Sequence, residues 1–368
     1  MKSQDKYRGC LLGGAAGDAL GYAIEFQNIR EIKEIYGKDG ITEYELKDGK
    51  ARFSDDTQMT LFTANGLLNG TTQNILNGRE ESYLNYVHQA NKDWYRTQTR
   101  RYPLEQDTTF TWLANVSDLF QMRTPGMTCM NAIRSGKMGF MEEPLNNSKG
   151  CGGIMRVAAV GLYLPGHMSL AEADQIGAGI AALTHGHPLG YIPAAALVHI
   201  ISLAAHEEEL SLLEIVENME EAMKEQFAGF GHLKKMLKLV NKAVELSKTD
   251  LCDQDAIRKL GEGWVAEETL AIAVYCALKY HNDFDKALQA SVNHSGDSDS
   301  TGAVTGNILG AYLGLQGIPD KYIENLELSH VIREIADDLY QDCKIRKEEI
   351  YADKTWVEKY VHKTYCPN

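Results

Sequence analysis

The stretch GCLLGGAAGDALG, residues 9–21, decides the fold class. Its side chains are almost all small or apolar, it holds no proline, and it lacks the strict apolar/polar alternation of a strand. Small residues recur three and four apart, the spacing that lines one face of an α-helix. Such a face lets another helix backbone come close, at a propensity cost of about 0.8–1 kcal/mol per Gly relative to Ala. IMRVAAVGLYL (154–164), QIGAGIAAL (175–183) and TGAVTGNILGAYLGL (301–315) share this character. With 33 Gly but only 8 Pro, the chain leaves long helices uninterrupted. No series of alternating runs joined by hairpin turns is found, and no strand–helix alternation. The expectation is an all-α protein.

The flanking segments extend this reading. TQMTLFTANGLLN (57–69) has helical spacing, and PAAALVHIISLAAH (193–206) reads as a buried helix opened by Pro193. Residues 209–227 and 232–248 are amphipathic and charged, so they belong on the outside. Residues 264–281 read as a core helix, and 320–362 as one or two further peripheral helices. The least regular stretches are 37–56, 91–128 and 140–153; loops of that size in a helical domain are more often functional than idle. No low-complexity linker or fixed-period repeat divides the chain, so residues 1–368 are expected to form a single domain.

Of 368 residues, 37 are Lys or Arg and 51 Asp or Glu, a formal net charge of −14. This acidic balance argues against nucleic acid or an anionic membrane as partner. An anionic small molecule would need local help from metal ions or backbone amides. Seven scattered cysteines without a C-x-x-C pair suggest free thiols and a cytoplasmic location. The mixed-charge start makes a poor signal peptide, and no 18 uncharged apolar residues run together to predict a membrane span.

Two acidic clusters lie far apart in sequence. Phe53-Ser54-Asp55-Asp56-Thr57 stands directly before a helix and, in isolation, reads as an N-cap. His294-Ser295-Gly296-Asp297-Ser298-Asp299-Ser300-Thr301-Gly302 also stands before a small-residue helix. Adjacent carboxylates are costly to hold together without counter-charge, so the pair of clusters points to a cation between them. Carboxylate and hydroxyl donors favour Mg²⁺, Mn²⁺ or Ca²⁺ over zinc or copper. The second cluster lacks the glycine and distal glutamate of an EF-hand. Four carboxylates and two hydroxyls suffice for two divalent ions sharing a ligand.

Lys149-Gly150-Cys151-Gly152-Gly153-Ile154-Met155-Arg156 also precedes a helix. Alone it reads as a flexible turn, but glycines there let backbone N–H groups approach phosphate oxygens. Cys151 has no evident base partner and is given no nucleophilic role. His185 and His187 lack further zinc ligands and fit a helix-ending turn before Pro188. His294 reads as structural. Trp264 and Tyr275 have faces on which a base can stack, yet aromatics on an apolar helix usually belong to the core. Trp264 is retained as a candidate and Tyr275 is not.

Taken together, GCLLGGAAGDALGYAIEF (9–26), FSDDT (53–57), GCGGIMR (150–156), THGHPLGY (184–191) and HSGDSDSTG (294–302) resemble the ADP-ribosylglycohydrolase family, in the expected order over residues 7–317. RTPGMTC (123–129) and the DSDST spelling look most like its ADP-ribosylarginine hydrolase branch. The resemblance implies a single orthogonal multi-helix domain with a two-metal cleft, residues 318–368 being peripheral. It implies two divalent cations, Mg²⁺ foremost and Mn²⁺ second, held by Ser54, Asp55, Asp56, Asp297, Asp299 and Ser300. Glu25 matches an acidic residue on a mobile loop over the metals and joins Asp55 and Asp56 as catalytic carboxylates. Gly126, Cys151, Gly152, Gly153, Ile154, Met155, His185 and Trp264 match substrate contacts. The implied activity is release of ADP-ribose from arginine on a protein, by a monomer. The alternatives are hydrolysis of ADP-ribosyl-serine or O-acetyl-ADP-ribose, an ADP-ribose-binding module without turnover, or a crystallin-like structural protein. No ligand position is lost, which argues against the last.

Overall fold

The computed structural model describes residues 2–105, 108–345 and 353–367. Its first helices are α1 (Gln4–Tyr22), α2 (Ile29–Tyr36), α3 (Asp55–Asn77), α4 (Tyr83–Thr99), α5 (Met127–Arg134) and α6 (Ala158–Tyr163). The middle of the chain forms α7 (Leu170–Ala182), α8 (Pro188–His206), α9 (Leu212–Gln226), α10 (Leu233–Ser247) and α11 (Asp253–Leu260). The remainder forms α12 (Ala266–Lys279), α13 (Phe284–Val292), α14 (Ser298–Leu313), α15 (Ser329–Gln341) and the short α16 (Lys354–Val357). The fold is all-α.

The two glycine-patterned segments prove to be partners. α1 and α14 run antiparallel with their backbones in contact. A Cβ at Gly9, Gly13 or Gly17 would stand 2.3, 2.6 or 2.0 Å from the carbonyl oxygen of Gly310, Gly306 or Gly302. At Gly21 it would stand 2.2 Å from that of Ser298. Real Cβ atoms do not tolerate such distances, so both glycine rows, four residues apart, are needed for this approach. The seam therefore fixes the Tyr22 end of α1 against the Ser298 start of α14.

Asp18, on α1, extends the seam to a third helix. Its carboxylate accepts hydrogen bonds from the backbone N–H of Ser54 (2.8 Å) and of Thr57 (2.9 Å), and from the Thr57 hydroxyl (2.5 Å). The start of α3 is thus pinned to α1. Ser54 completes the cap by accepting from the N–H of Asp56 at 3.2 Å.

α8 lies at the centre, against α6, α7, α9, α12 and α14. Its 19 residues are long and apolar enough by composition to span a membrane, with a mean hydropathy of 1.6, but 89% of that stretch is buried among the neighbouring helices. It begins at Pro188, so Pro193 sits inside the helix and does not open it. His187 caps this start by accepting from the Leu189 N–H at 3.0 Å.

Four other expectations need correction. Residues 91–99 belong to α4 and are not irregular. A small hairpin, β1 (Leu46–Lys47) with β2 (Lys50–Ala51), turns at Asp48-Gly49, both with φ positive. Trp264 precedes α12 and does not lie on it. α15 is not peripheral, because Val331, Ile332, Ile335 and Leu339 are buried and the helix packs on α1 and α3. Part of the stretch expected to be helical over 320–362 (346–352) lies outside the described residues.

Candidate active site

The starts of α3 and α14 meet. The Ser300 hydroxyl donates to Asp56 Oδ2 at 2.8 Å, although the residues are 244 apart in sequence. Asp297 caps α14 by accepting from the Ser300 N–H at 3.2 Å, and the Cys151 thiol donates to its other oxygen at 2.8 Å. The Gly126 N–H, at the start of α5, donates to Asp55 Oδ2 at 3.3 Å. Glu25, just beyond α1, accepts from the Thr124 hydroxyl at 3.1 Å. Five separate stretches of chain therefore converge on one acidic cluster.

Asp18, Glu25, Asp55, Asp56, Asp297 and Asp299 are all buried, and among the described residues none of them forms an ion pair. Burial, followed by the charge of Asp299, pushes the Asp18 carboxyl up to about 7 and that of Glu25 to about 9. The same causes hold Asp55, Asp56 and Asp297 well above the ordinary carboxylate range.

Among the described residues, no three His, Cys, Asp or Glu side chains stand as a ready-made metal cage. The donor set nevertheless fits hard divalent cations: carboxylates and hydroxyls only, apart from one thiol, with no basic side chain to neutralise them. Protons of Ser300 and Cys151 occupy Asp56 and Asp297, contacts that a cation would replace.

The glycine segment is not a loose loop. Cys151–Arg156 forms a 3₁₀ turn. A Cβ at Gly153 would stand 2.9 Å from the Gly190 carbonyl oxygen and 3.0 Å from Ala181 Cβ. At Gly152 it would stand 2.9 Å from both Cys129 Sγ and His185 Cε1. Packing alone therefore requires both glycines, whereas a Cβ at Gly150 would make only an ordinary contact, 3.4 Å from His185 Nε2. Ile154 and Met155 are buried in the core. His185 lies beneath the turn, its Nδ1 2.8 Å from the Thr184 hydroxyl, and burial lowers its pKa to about 3, so the ring is neutral. Arg156 is buried below as well, donating to Ile180 O and Thr184 Oγ1, both at 2.8 Å. Burial, then the neighbouring Asp297, raises the Cys151 thiol well above its ordinary pKa, so it is a proton donor to Asp297.

On the rim, Trp264 is tied to this turn. Its carbonyl accepts from the Cys151 N–H at 3.3 Å, and Val265 bridges to Gly150. A cavity of about 320 Å³ opens beside Glu25, lined by Tyr22, Phe26, Arg52, Arg123 and Thr124 among others. A larger one, about 1210 Å³, lies at the far end of α3, bordered by Gly78, Tyr83, His167 and Gln175. The acidic chemistry is not there, so size does not identify the site.

Asp18 and Thr124 were not singled out from the sequence. An aspartate within an otherwise apolar glycine helix was the available signal for the first; Thr124 had none beyond its place next to Pro125 and Gly126.

Comparison with known proteins bears on the family and the fold. Residues 1–349 match the family model for ADP-ribosylglycohydrolase. ADP-ribosylhydrolase ARH3 of Mus musculus is 24% identical over 352 residues, covering 89% of this chain and 88% of the relative. ADP-ribosylarginine hydrolase Tri1 of Pseudomonas putida is 24% identical, covering 91% of this chain and 78% of the relative. A solved ADP-ribosylglycohydrolase-related protein complex superposes with a TM-score of 0.57 at 23% identity, over 92% of this chain and 98% of that one. With that match over most of its length, the chain belongs to the ADP-ribosylglycohydrolase family.

Proposed function

We propose that this protein is a divalent-cation-dependent hydrolase that releases ADP-ribose from arginine side chains of modified proteins. The observation that carries the reading is the direct meeting of two acidic helix starts, Asp56 with Ser300, buried and without a cationic side chain. Ser54, Asp55, Asp56, Asp297, Asp299 and Ser300 are the residues that would hold two cations, Mg²⁺ or Mn²⁺. When bound, such ions supply Lewis acidity and fix the hydroxyls of the distal ribose. The chain's own carboxylates do the rest. Glu25, Asp55 and Asp56 are the groups for proton transfer as the glycosidic bond breaks through an oxocarbenium-like state. Gly126 and the Gly150–Gly153 turn are assigned to the diphosphate, with the backbone N–H groups of Gly152 and Gly153 as donors. His185 and Trp264 complete the contacts, His185 by supporting the turn from below.

The arginine linkage is supported by the RTPGMTC stretch and by the name of the Pseudomonas putida relative. The test is ADP-ribose release from arginine-linked and serine-linked peptides side by side, each with and without Mg²⁺. Mg²⁺-dependent release from the arginine-linked peptide is expected; faster release from the serine-linked peptide would reassign the linkage. Gly150→Val tests the turn, since Gly153→Val would first disturb packing against Gly190 and Ala181. Unchanged ADP-ribose affinity in Gly150→Val would remove the turn from the diphosphate site.

A further inference from the structure

Phe26 follows Glu25 directly, and its side chain is 71% exposed. A ring so exposed contributes little to the core. It is nevertheless not isolated. It stacks on Trp264 with ring centroids 6.1 Å apart and planes 17° from parallel, within the range of a favourable aromatic pair. Trp264 is itself 40% exposed and belongs to the segment tied to the glycine turn.

The two rings are anchored very differently. Trp264 is held by the Cys151 N–H on its carbonyl and by the bridge between Val265 and Gly150. The Glu262 carbonyl, two residues earlier, accepts from the Asp297 N–H at 2.8 Å. Gly263, at φ +84°, packs against Asp297 and Thr301. Phe26 lies in the short connection between α1 and α2, where the Glu25 carboxyl has a single side-chain hydrogen bond, from Thr124.

We propose that Phe26 is a positioning residue: by stacking on Trp264 it ties the segment carrying Glu25 to the glycine-turn wall and holds Glu25 over the acidic cluster. This rests on the role assigned to Glu25 in the proposed function. The stack joins two exposed rings, one on the Glu25 segment and one on the glycine-turn segment. Acting through Glu25, its loss affects turnover more than substrate affinity.

The chain has four tryptophans, and Trp94, Trp112 and Trp356 are buried. Acrylamide quenching therefore reads Trp264 selectively, whether or not the protein is turning over substrate. In Phe26→Ala, quenching is expected to rise. kcat on the arginine-linked peptide should fall by about tenfold, with KM changed less than about twofold. Phe26→Tyr should restore both, because a phenol ring stacks equally well. Unchanged quenching in Phe26→Ala would overturn the stack. Raised quenching with unchanged kcat, or a loss confined to KM and ADP-ribose affinity, would overturn the positioning role, the latter making the pair a substrate platform. If the wild-type protein releases ADP-ribose from neither peptide, the proposed function fails while quenching still decides whether the tie exists.

Discussion

Asp338 and Asp56 are both buried carboxylates, and the protein treats them in opposite ways. Asp338 on α15 accepts from Lys359 Nζ and from the Tyr360 hydroxyl, each at 2.6 Å, and Lys359 also reaches Glu334 at 2.9 Å. Burial raises the Asp338 carboxyl, while the lysine charge pulls it back down. Asp56 has no such partner; its neighbours are Asp299, Asp18, Asp55 and Asp297. The first site fastens the C-terminal strand of chain to the body. The second gathers carboxyls with no cationic side chain beside them, a group that burial keeps protonated unless a cation takes the place of the protons. Burial of acid is thus no mark of function by itself; what sets the second site apart is that no cationic side chain accompanies it.

The largest effect should come from breaking the compensated site. Lys359→Met leaves Asp338 buried without its cation and is expected to cost about 3–5 kcal/mol of stability, read by urea denaturation. Asp56→Asn should do the reverse, leaving folding stability unchanged or slightly raised. ADP-ribose release should fall by roughly a hundredfold or more, with a much smaller change in ADP-ribose affinity. A comparable loss of stability in both variants would erase the distinction between the sites.

Asp297→Asn offers a smaller test on the same axis. Asn can still cap α14 through its amide oxygen while its NH2 group takes the place of the oxygen that faces the Cys151 sulfur, so metal-free protein should gain up to about 1 kcal/mol from the removed repulsion. A clear loss would mean that the charge is already balanced within the protein. The smallest effect fixes the pH for these comparisons. His185 has its pKa lowered to about 3 by burial and then by Arg156, so it stays neutral where the unfolded chain binds a proton. Its contribution is complete well above the unfolded value near 6.5 and is lost as pH falls through and below it, about 0.7 kcal/mol between pH 7 and pH 6. His185→Gln should reduce that slope by the same amount in a denaturation series, so the acidic variants are compared at one fixed pH.

The helical architecture was legible because its signal is local. The four-residue glycine spacing in 9–21 and 302–310 appears in the sequence, and even the pairing of the two rows was available from their matching period. The Asp48-Gly49 turn was equally visible, as a dipeptide that favours tight hairpins, yet its flanking strands are too short to stand out. Pro193 misled because proline usually opens a helix, whereas here Pro188 does so and Pro193, five residues on, forgoes only the bond to the Leu189 carbonyl. The acidic residues of the site were legible as types, but their convergence depends on Asp18 capping α3 from α1, a contact across 36 residues that no local pattern encodes. The glycines at 152 and 153 looked like a phosphate loop, while the contacts that demand them are Gly190, Ala181, Cys129 and His185. Phe26 and Trp264 each look unremarkable alone; only the fold sets them face to face.

The central claim is that the acidic cluster is a divalent-cation centre, and isothermal titration of Mg²⁺ into metal-free protein above pH 7 tests it most directly. The account predicts two ions bound per chain, with affinity reduced at least about tenfold in Asp56→Asn, a difference of about 1.4 kcal/mol. Absence of binding to the wild-type protein, or equal binding by wild type and Asp56→Asn, would contradict it.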